Sequence, residues 1–293
     1  MKVWLIEFRI KPQSSNYSYF CNKHFSMQLL PPSKIVFNFS KIQQLEDTVR
    51  KIYRLIIYSR YHFDDDLLDS YLTGMHNLKE LVGIKNAQME AQTEEELEEY
   101  IINLKKSLDF VVDEINDHNR FDSEVQLFQL LRLISPETNS IHPNKYRNTL
   151  VQIGAHICPD GSEVPSLVAE LFYQMKQISN PIIRAIYFHH ELIRIHPFAD
   201  GNGRVTRVAK NWILMYDLFP PTFISDATEK KEYIHVLGNS FRDLDKNPGK
   251  WNEHITQFFN LEIERLIDNA NHLYEIVENI GNQREKKKIN RSV

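Results

Sequence analysis

Thirteen residues near the middle of the chain, "IHPFADGNGRVTR" from Ile195 to Arg207, combine a histidine, an acid, two glycines, an asparagine and two arginines. A core helix has no use for that set. His196 carries the side chain whose ordinary pKa lies nearest neutrality, which suits it to taking a proton. Gly201 and Gly203, flanking Asn202, permit backbone conformations in which successive N–H groups converge. The residues that follow, "RVTRVAKNWI", read as the opening of a helix, so unbonded N–H groups and the positive end of the helix dipole face the loop. Together Gly201, Asn202 and Gly203 form a nest for an anion, most naturally phosphate. Arg204 and Arg207 stand three apart on one helix face and can both reach that anion. Asp200 is a hard carboxylate beside the nest, the type of ligand Mg2+ takes when it bridges to substrate phosphates. A base, a metal ligand, an anion nest and two cationic clamps describe a site for phosphoryl or nucleotidyl transfer. A zinc site through His189, His190 and His196 is the weaker reading, because adjacent histidines project in different directions and no second ligand cluster has metal spacing.

Helical patterns flank the run on both sides. Upstream, Asn180 before Pro181 reads as an N-cap and first helical position. Ile182, Ala185, Ile186, His189, Leu192 and Ile193 then share one face. Downstream, Val205, Val208, Ala209, Trp212, Ile213 and Tyr216 form a second apolar stripe, ended by "FPPT". Further back, "YRNTLVQIGAHICPDGSEVP" from Tyr146 to Pro165 has β-forming residues followed by "PDGS", a turn signal, and predicts a short hairpin. From Ser40 to about Asn116 the pattern is helical throughout: Ser40 is the expected cap of a first helix, Leu67 to Val82 a second, and "TEEELEEYIINLKKSLDFVVDEIN" a third. Thr93 is its N-cap, with Glu96 at the capping-box position. "KVWLIEFRI" at the start reads as a strand. The expected architecture is mainly α, a helical bundle with one β-hairpin, a helical N-terminal region and a small N-terminal strand.

Composition narrows the function classes. The 293 residues include 42% hydrophobic and 25% charged side chains, with only 9 Gly and 12 Pro, as expected of a globular helical protein. A net charge of −4 gives no general attraction to nucleic acid or to an anionic membrane. The basic stretch "REKKKINR", Arg284 to Arg291, reads as a solvated end. Cys21 and Cys158 make neither a disulfide framework nor a metal cluster. The apolar start is broken by Glu7, Arg9 and Lys11 and lacks a cleavage-site pattern, which points to a cytoplasmic protein without a membrane partner.

"HPFADGNGRVTR" resembles the signature of the Fic-domain family, His-x-Phe-x-Asp/Glu-Gly-Asn-Gly-Arg-x-x-Arg, with every fixed position filled. The resemblance implies a Fic fold and transfer of AMP from ATP to a hydroxyl side chain of a target protein. In that reading His196 deprotonates the target Ser, Thr or Tyr, and Phe198 anchors the loop. Asp200 holds Mg2+, Gly201, Asn202 and Gly203 form the anion hole, and Arg204 and Arg207 bind the phosphate chain. "YRNTLVQIG" resembles the start of the family's flap, which pairs with target backbone and would use Val151, Gln152, Ile153 and Gly154. "NPGKWNEHITQFF" resembles the closing helix of the domain.

Many family members also carry an inhibitory helix, Ser/Thr-x-x-x-Glu-Gly/Asn, whose glutamate pairs with the last signature arginine. "NAQMEAQTEEE" from Asn86 resembles that region, with Glu90 as the inhibitory residue, Asn86 replacing Ser/Thr and Ala91 replacing Gly/Asn. "YEIVEN", with Glu278 and with Tyr274 in the Ser/Thr place, is the rival. The implied organisation is an N-terminal extension over 1–33, a helical domain over 34–118 with the inhibitory helix, a catalytic domain over 119–265, and a C-terminal helix and basic tail over 266–293. The main reading is an autoinhibited, Mg2+-dependent protein adenylyltransferase able to modify itself, with ATP as substrate, an unnamed target, and a homodimer left open. The alternatives are an ATP-sensing interaction module with little transfer, transfer of another nucleotide such as UMP, and removal of AMP from targets.

Overall fold

The computed structural model describes residues 27–61 and 65–289. The expected N-terminal strand and Cys21 lie outside the described residues, as do the last four residues of the chain. After a 3-10 turn at Pro32–Lys34 come α1 (Phe39–Tyr61), α2 (Asp65–Glu90), α3 (Glu94–Asn116), α4 (Glu124–Ile134) and α5 (Pro136–Ile141). A hairpin of β1 (Gln152–Ile153) and β2 (His156–Ile157) follows, then α6 (Val164–Met175), α7 (Pro181–Ile195), α8 (Asn202–Tyr216), α9 (Ala227–Lys246) and α10 (Glu253–Ile289). The two strands are antiparallel, pairing Gln152 with Ile157 and Ile153 with His156. α10 runs without a break across residues 265 and 266 and packs against α1, α2, α7 and α9. No described helix is long and apolar enough to cross a membrane.

Three local expectations are corrected. The cap of α1 is Asn38, not Ser40: Asn38 Oδ1 accepts from the N–H groups of Ser40 at 3.1 Å and Lys41 at 3.4 Å. The hairpin turns at Gly154, whose φ of +59° suits the first position of a two-residue loop, and not at "PDGS". That tetrapeptide lies past β2, where Asp160 Oδ1 accepts from Ser162 N–H at 2.9 Å and shapes the entry to α6. Lastly, α2 runs on past Val82 to Glu90, which brings Glu90 to the helix end.

Other signals behave as the residues predict. Thr93 Oγ1 accepts from Glu96 N–H at 3.1 Å and caps α3, while the Glu96 carboxylate reaches back to Gln92 N–H at 2.8 Å, one residue beyond the cap. Asn180 caps α7 by accepting from Ile182 and Ile183 N–H at 3.0 and 3.1 Å.

The core centres on α7 and α8, whose side chains are buried over almost their whole lengths. Trp212 of α8 sits in an aromatic cluster with Phe110, Phe121, Phe172 and Phe188, centroids 5.2 to 5.7 Å apart, and its indole N–H donates to Asn119 O at 3.1 Å. Cys158, just after β2, is buried, and burial pushes its thiol up to about 12, so it behaves as a small apolar side chain. Two helices buried on all sides form a stiff base, and the loop joining them is the Ile195–Arg207 run.

Candidate active site

His196 is the C-cap of α7 and holds φ 52° and ψ 63°, a left-handed conformation. A non-glycine residue adopts it at a cost of roughly 1–2 kcal/mol, so its surroundings must hold it there. Its N–H donates to Leu192 O at 2.9 Å and its carbonyl accepts from Arg147 Nε at 2.7 Å. The bend turns the chain out of α7 and into Pro197. Phe198 is fully buried, with the rings of Phe128 and Tyr146 each 5.9 Å from its own. Asn202 then staples the loop: its Oδ1 accepts from Phe198 N–H at 2.8 Å and its Nδ2 donates to Phe198 O at 2.9 Å. The Asn202 side chain is committed to the loop, and what it offers an anion is its main-chain N–H.

Gly201 caps α8 with φ +78°, and a Cβ there would press on Ser135. The first intrahelical bond of α8 is Val205 N–H to Gly201 O at 2.9 Å. The N–H groups of Asn202, Gly203 and Arg204 therefore have no partner within the helix, which makes the expected nest. Asp200 stands at its edge with a mostly exposed carboxylate, one oxygen accepting from Arg204 Nη2 at 3.0 Å.

A carboxylate from the chain itself stands beside this nest, on its two arginines. Glu90, the last residue of α2, accepts from Arg207 Nη2 at 2.7 Å and from Arg204 Nε at 3.1 Å. Its Oε1 lies so close to Gly203 that any side chain there would collide with it. Burial pushes the Glu90 carboxyl up, but Arg207 and Arg204 together more than offset this and hold it below the usual range. Asn86, one turn earlier, accepts from Arg207 Nε at 2.8 Å, so it fills its position with a bond to the same arginine. Arg204 is also held by Ile134 O at 3.1 Å and lies over the Tyr100 ring at 3.7 Å. Lys230 of α9 donates to the carbonyl of Met89 and ties down the end of α2. Glu278, by contrast, accepts from Tyr274 one turn back on the exposed face of α10 at 2.8 Å.

The His196 ring is part-buried, and its Nδ1 is buried without a regular hydrogen-bond partner. Burial, and after it the Arg147 charge, lowers its pKa to about 4, so the imidazole is neutral at pH 7. His189 and His190 have partners of their own: His189 Nε2 meets the Tyr233 hydroxyl at 2.9 Å, and His190 lies between Glu191 at 2.7 Å and Ser240 at 2.9 Å. In the hairpin, Gln152 and Gly154 are exposed and Val151 and Ile153 half-buried. Its outer residues Leu150 and Ile157 face solvent.

Arg147, His156, Tyr100 and Lys230 were not singled out from the sequence as parts of this assembly. Nothing in their spacing marks them; each is recognised by which main-chain carbonyl or ring it meets across the fold.

Residues 121–214 match the Fic/DOC family. The chain carries a Fic/DOC-family domain. Its sequence is similar to the protein adenylyltransferase Fic of Culex quinquefasciatus, 27% identical over 140 residues, or 46% of this chain and 28% of that protein. It is similar also to the protein of the same name from Drosophila erecta, 31% identical over 115 residues, or 38% of this chain and 23% of that one. The matched stretch thus spans about a quarter of the length of these relatives. In fold, the chain resembles a Fic domain containing signaling protein from Bacteroides thetaiotaomicron, with a TM-score of 0.60 and 20% identity over 82% of this chain and 97% of the other. Residues 134–508 of Fic-1 from C. elegans give 0.56 and 17% over 83% and 73%. These likenesses extend the Fic fold to the helices on either side of the matched residues.

Proposed function

We propose that the chain is a protein adenylyltransferase that moves AMP from ATP to a Ser, Thr or Tyr hydroxyl of a target protein, held off by Glu90. The observation that carries this reading is the Glu90 carboxylate on Arg207 and Arg204, close against Gly203: an anion already meets the two arginines that would take a phosphate at the start of α8. The names of the Culex and Drosophila relatives support the nucleotidyl class.

In the proposed reaction the target hydroxyl oxygen attacks the α-phosphorus of ATP. One P–O bond forms, the bond to the β-phosphate oxygen breaks, and pyrophosphate leaves. His196, neutral at pH 7, takes the hydroxyl proton. Its resting value of about 4 makes it a weak base, and a phosphate chain in the nest raises that value by adding negative charge nearby. The N–H groups at the start of α8 and the two guanidiniums stabilise charge on the phosphoryl oxygens. Asp200 fits Mg2+: its carboxylate is exposed at the nest's edge with one oxygen free of Arg204, and an ion held by one carboxylate takes its other ligands from phosphates and water. When bound, Mg2+ would neutralise charge on the phosphate chain. With Glu90 in place the terminal phosphate and the carboxylate compete for Arg207, so basal transfer is low. The exposed edge of the hairpin at Val151–Gly154 would pair with target backbone, and a hydroxyl of the chain itself can serve as acceptor. The reading includes a cytoplasmic setting.

The test uses wild type, Glu90→Gly and Glu90→Gly with His196→Ala, each with Mg2+ and ATP labelled at the α-phosphate, following label retained on protein and the added mass. Label that appears in Glu90→Gly and vanishes with His196→Ala supports the reading. No label in any of them, with ATP bound, gives the site to nucleotide sensing instead.

A further inference from the structure

The end of α7 presents a run of main-chain carbonyls with no helical partner, those of Arg194, Ile195 and His196 itself. Side chains from the hairpin region take all three. His156, on β2, meets Arg194 O with its Nε2 at 3.0 Å. A carbonyl only accepts, so this nitrogen carries the hydrogen, while Nδ1 faces the Asp245 carboxylate of α9 at 2.8 Å. Arg147, five residues before β1, donates Nη2 to Ile195 O at 3.2 Å and Nε to His196 O at 2.7 Å. Its main-chain N–H adds a bond to Pro197 O at 2.9 Å.

The same guanidinium holds both arms of the hairpin. Nη1 donates to Thr149 O at 2.6 Å, just before β1, and Nη2 to Pro159 O at 2.8 Å, just after β2. Arg147 is 3% exposed and His156 is 4% exposed, so neither is a surface charge. A buried guanidinium spread over four carbonyls is costly to assemble, and its planar fork fixes all four at once. What these two residues hold is a strained backbone position, the left-handed cap at His196.

We propose that Arg147 and His156 are positioning residues for the transfer reaction, locking the His196 backbone and the hairpin into one rigid unit, so that the base and the strand edge that would present the target hydroxyl keep a fixed mutual distance. This rests on the transfer reading above. Neither side chain touches the nest, so their loss acts on the chemical step and leaves nucleotide binding in place.

The variants are Arg147→Gln, Arg147→Lys, His156→Ala and His156→Gln, made in wild type and in Glu90→Gly. Gln at 156 keeps a donor for Arg194 O; Lys at 147 keeps the charge and loses the fork. We expect kcat to fall roughly 10- to 100-fold in Arg147→Gln and His156→Ala, the scale of a misplaced catalytic group. The Kd for ATP should stay within about two-fold, because the nest is intact, and kcat should partly recover in Arg147→Lys and His156→Gln. Separately, the His196 imidazole is titrated by NMR. Arg147 is the cation nearest in effect, with His156 a lesser one and Glu90 opposing them, so Arg147→Gln should raise the His196 pKa and Arg147→Lys should leave it nearer the wild-type value. Unchanged kcat and unchanged His196 titration in folded Arg147→Gln overturn the proposal. So does a loss in which kcat, ATP affinity and Tm fall together in all four variants, since that marks a merely structural part. If even Glu90→Gly transfers nothing while Arg147→Gln still moves the His196 titration, the transfer reading fails and the lock on His196 stands.

Discussion

Replacing Glu90 by glycine removes the carboxylate that holds both signature arginines. Its contacts are two charge-assisted bonds, at 2.7 Å to Arg207 and 3.1 Å to Arg204. Hydrogen bonds to charged groups contribute roughly 1.5–3 kcal/mol each, so the closed arrangement is favoured by about 3–6 kcal/mol before Arg207 regains water or phosphate. Part of that is recovered when the nest opens, which leaves an expected gain in AMP incorporation of roughly 10- to 100-fold, about 1.4 to 3 kcal/mol of population shift. The structure adds a second, opposite consequence. Arg204 is 1% exposed, and without Glu90 the two guanidiniums sit beside each other with less compensation. The empty variant should therefore melt below wild type, and ATP should raise its Tm by more than it raises that of wild type.

Glu90→Gln separates charge from shape. The amide keeps one acceptor for Arg207 and loses the ion pair, so its label incorporation should fall between wild type and glycine. The assay is incorporation of α-labelled AMP over time, with thermal melts with and without ATP and Mg2+. A folded Glu90→Gly protein that binds ATP no more tightly than wild type and gains no label would refute the reasoning, because the carboxylate would then not compete for the site.

Three further outcomes follow from the geometry. Lys230→Ala frees the Met89 carbonyl at the end of α2, a part-exposed contact of about 1 kcal/mol, and should raise basal label about five-fold, less than Glu90→Gly does; equal label in Lys230→Ala and wild type would remove Lys230 from the brake. Phe198→Ala empties a fully buried ring site and should cost about 3–5 kcal/mol in urea unfolding, with transfer lost along with the loop. Acid should destabilise the fold in two stages: His189, lowered to about 4 by burial, is held neutral when folded, so its stability is full above its unfolded value of 6.5 and falls by about 3 kcal/mol as pH drops towards 4. Glu191 is held down to about 2, because its partners Arg194 and His190 outweigh the effect of burial; it adds a similar loss from 4.5 down to 2, and a urea midpoint independent of pH between 7 and 3 would contradict both.

The grouping of His196, the glycine pair and the two arginines at one loop and helix start was legible because these residues are local. A nest needs only a glycine pair and a helix start, and Gly201, Asn202, Gly203 and Arg204 supply both within four residues. Helix existence was legible for the same reason, as periodicity over α3, α7 and α8 is a short-range property. Caps failed where two candidates stood side by side: Asn38 and Ser40 are both good cap residues, and the choice depends on where the chain leaves the turn at Pro32. The hairpin was placed one turn too late because "PDGS" is the louder turn signal, while Gly154 takes φ +59° with no proline to announce it.

Glu90 is a different case. It lies 117 residues from Arg207, and only its likeness to a known pattern pointed to it, with two of the pattern's positions altered. The structure gives a physical account of why one alteration is tolerated. The residue one turn before the glutamate has to meet Arg207, and Asn86 does so with an amide oxygen at 2.8 Å, longer in reach than the hydroxyl it replaces. That leaves Asn86 Nδ2 buried without a partner, a polar group whose desolvation is not repaid. Moving Glu90 and the end of α2 away from Arg207 would let water reach that nitrogen, so this amide opposes the closed arrangement that its own oxygen supports. Asn86→Ser keeps an acceptor, shortens the reach and removes the orphan nitrogen. If the orphan is the dominant effect, Asn86→Ser lowers basal label below wild type; if the bond to Arg207 is, label rises towards that of Glu90→Gly.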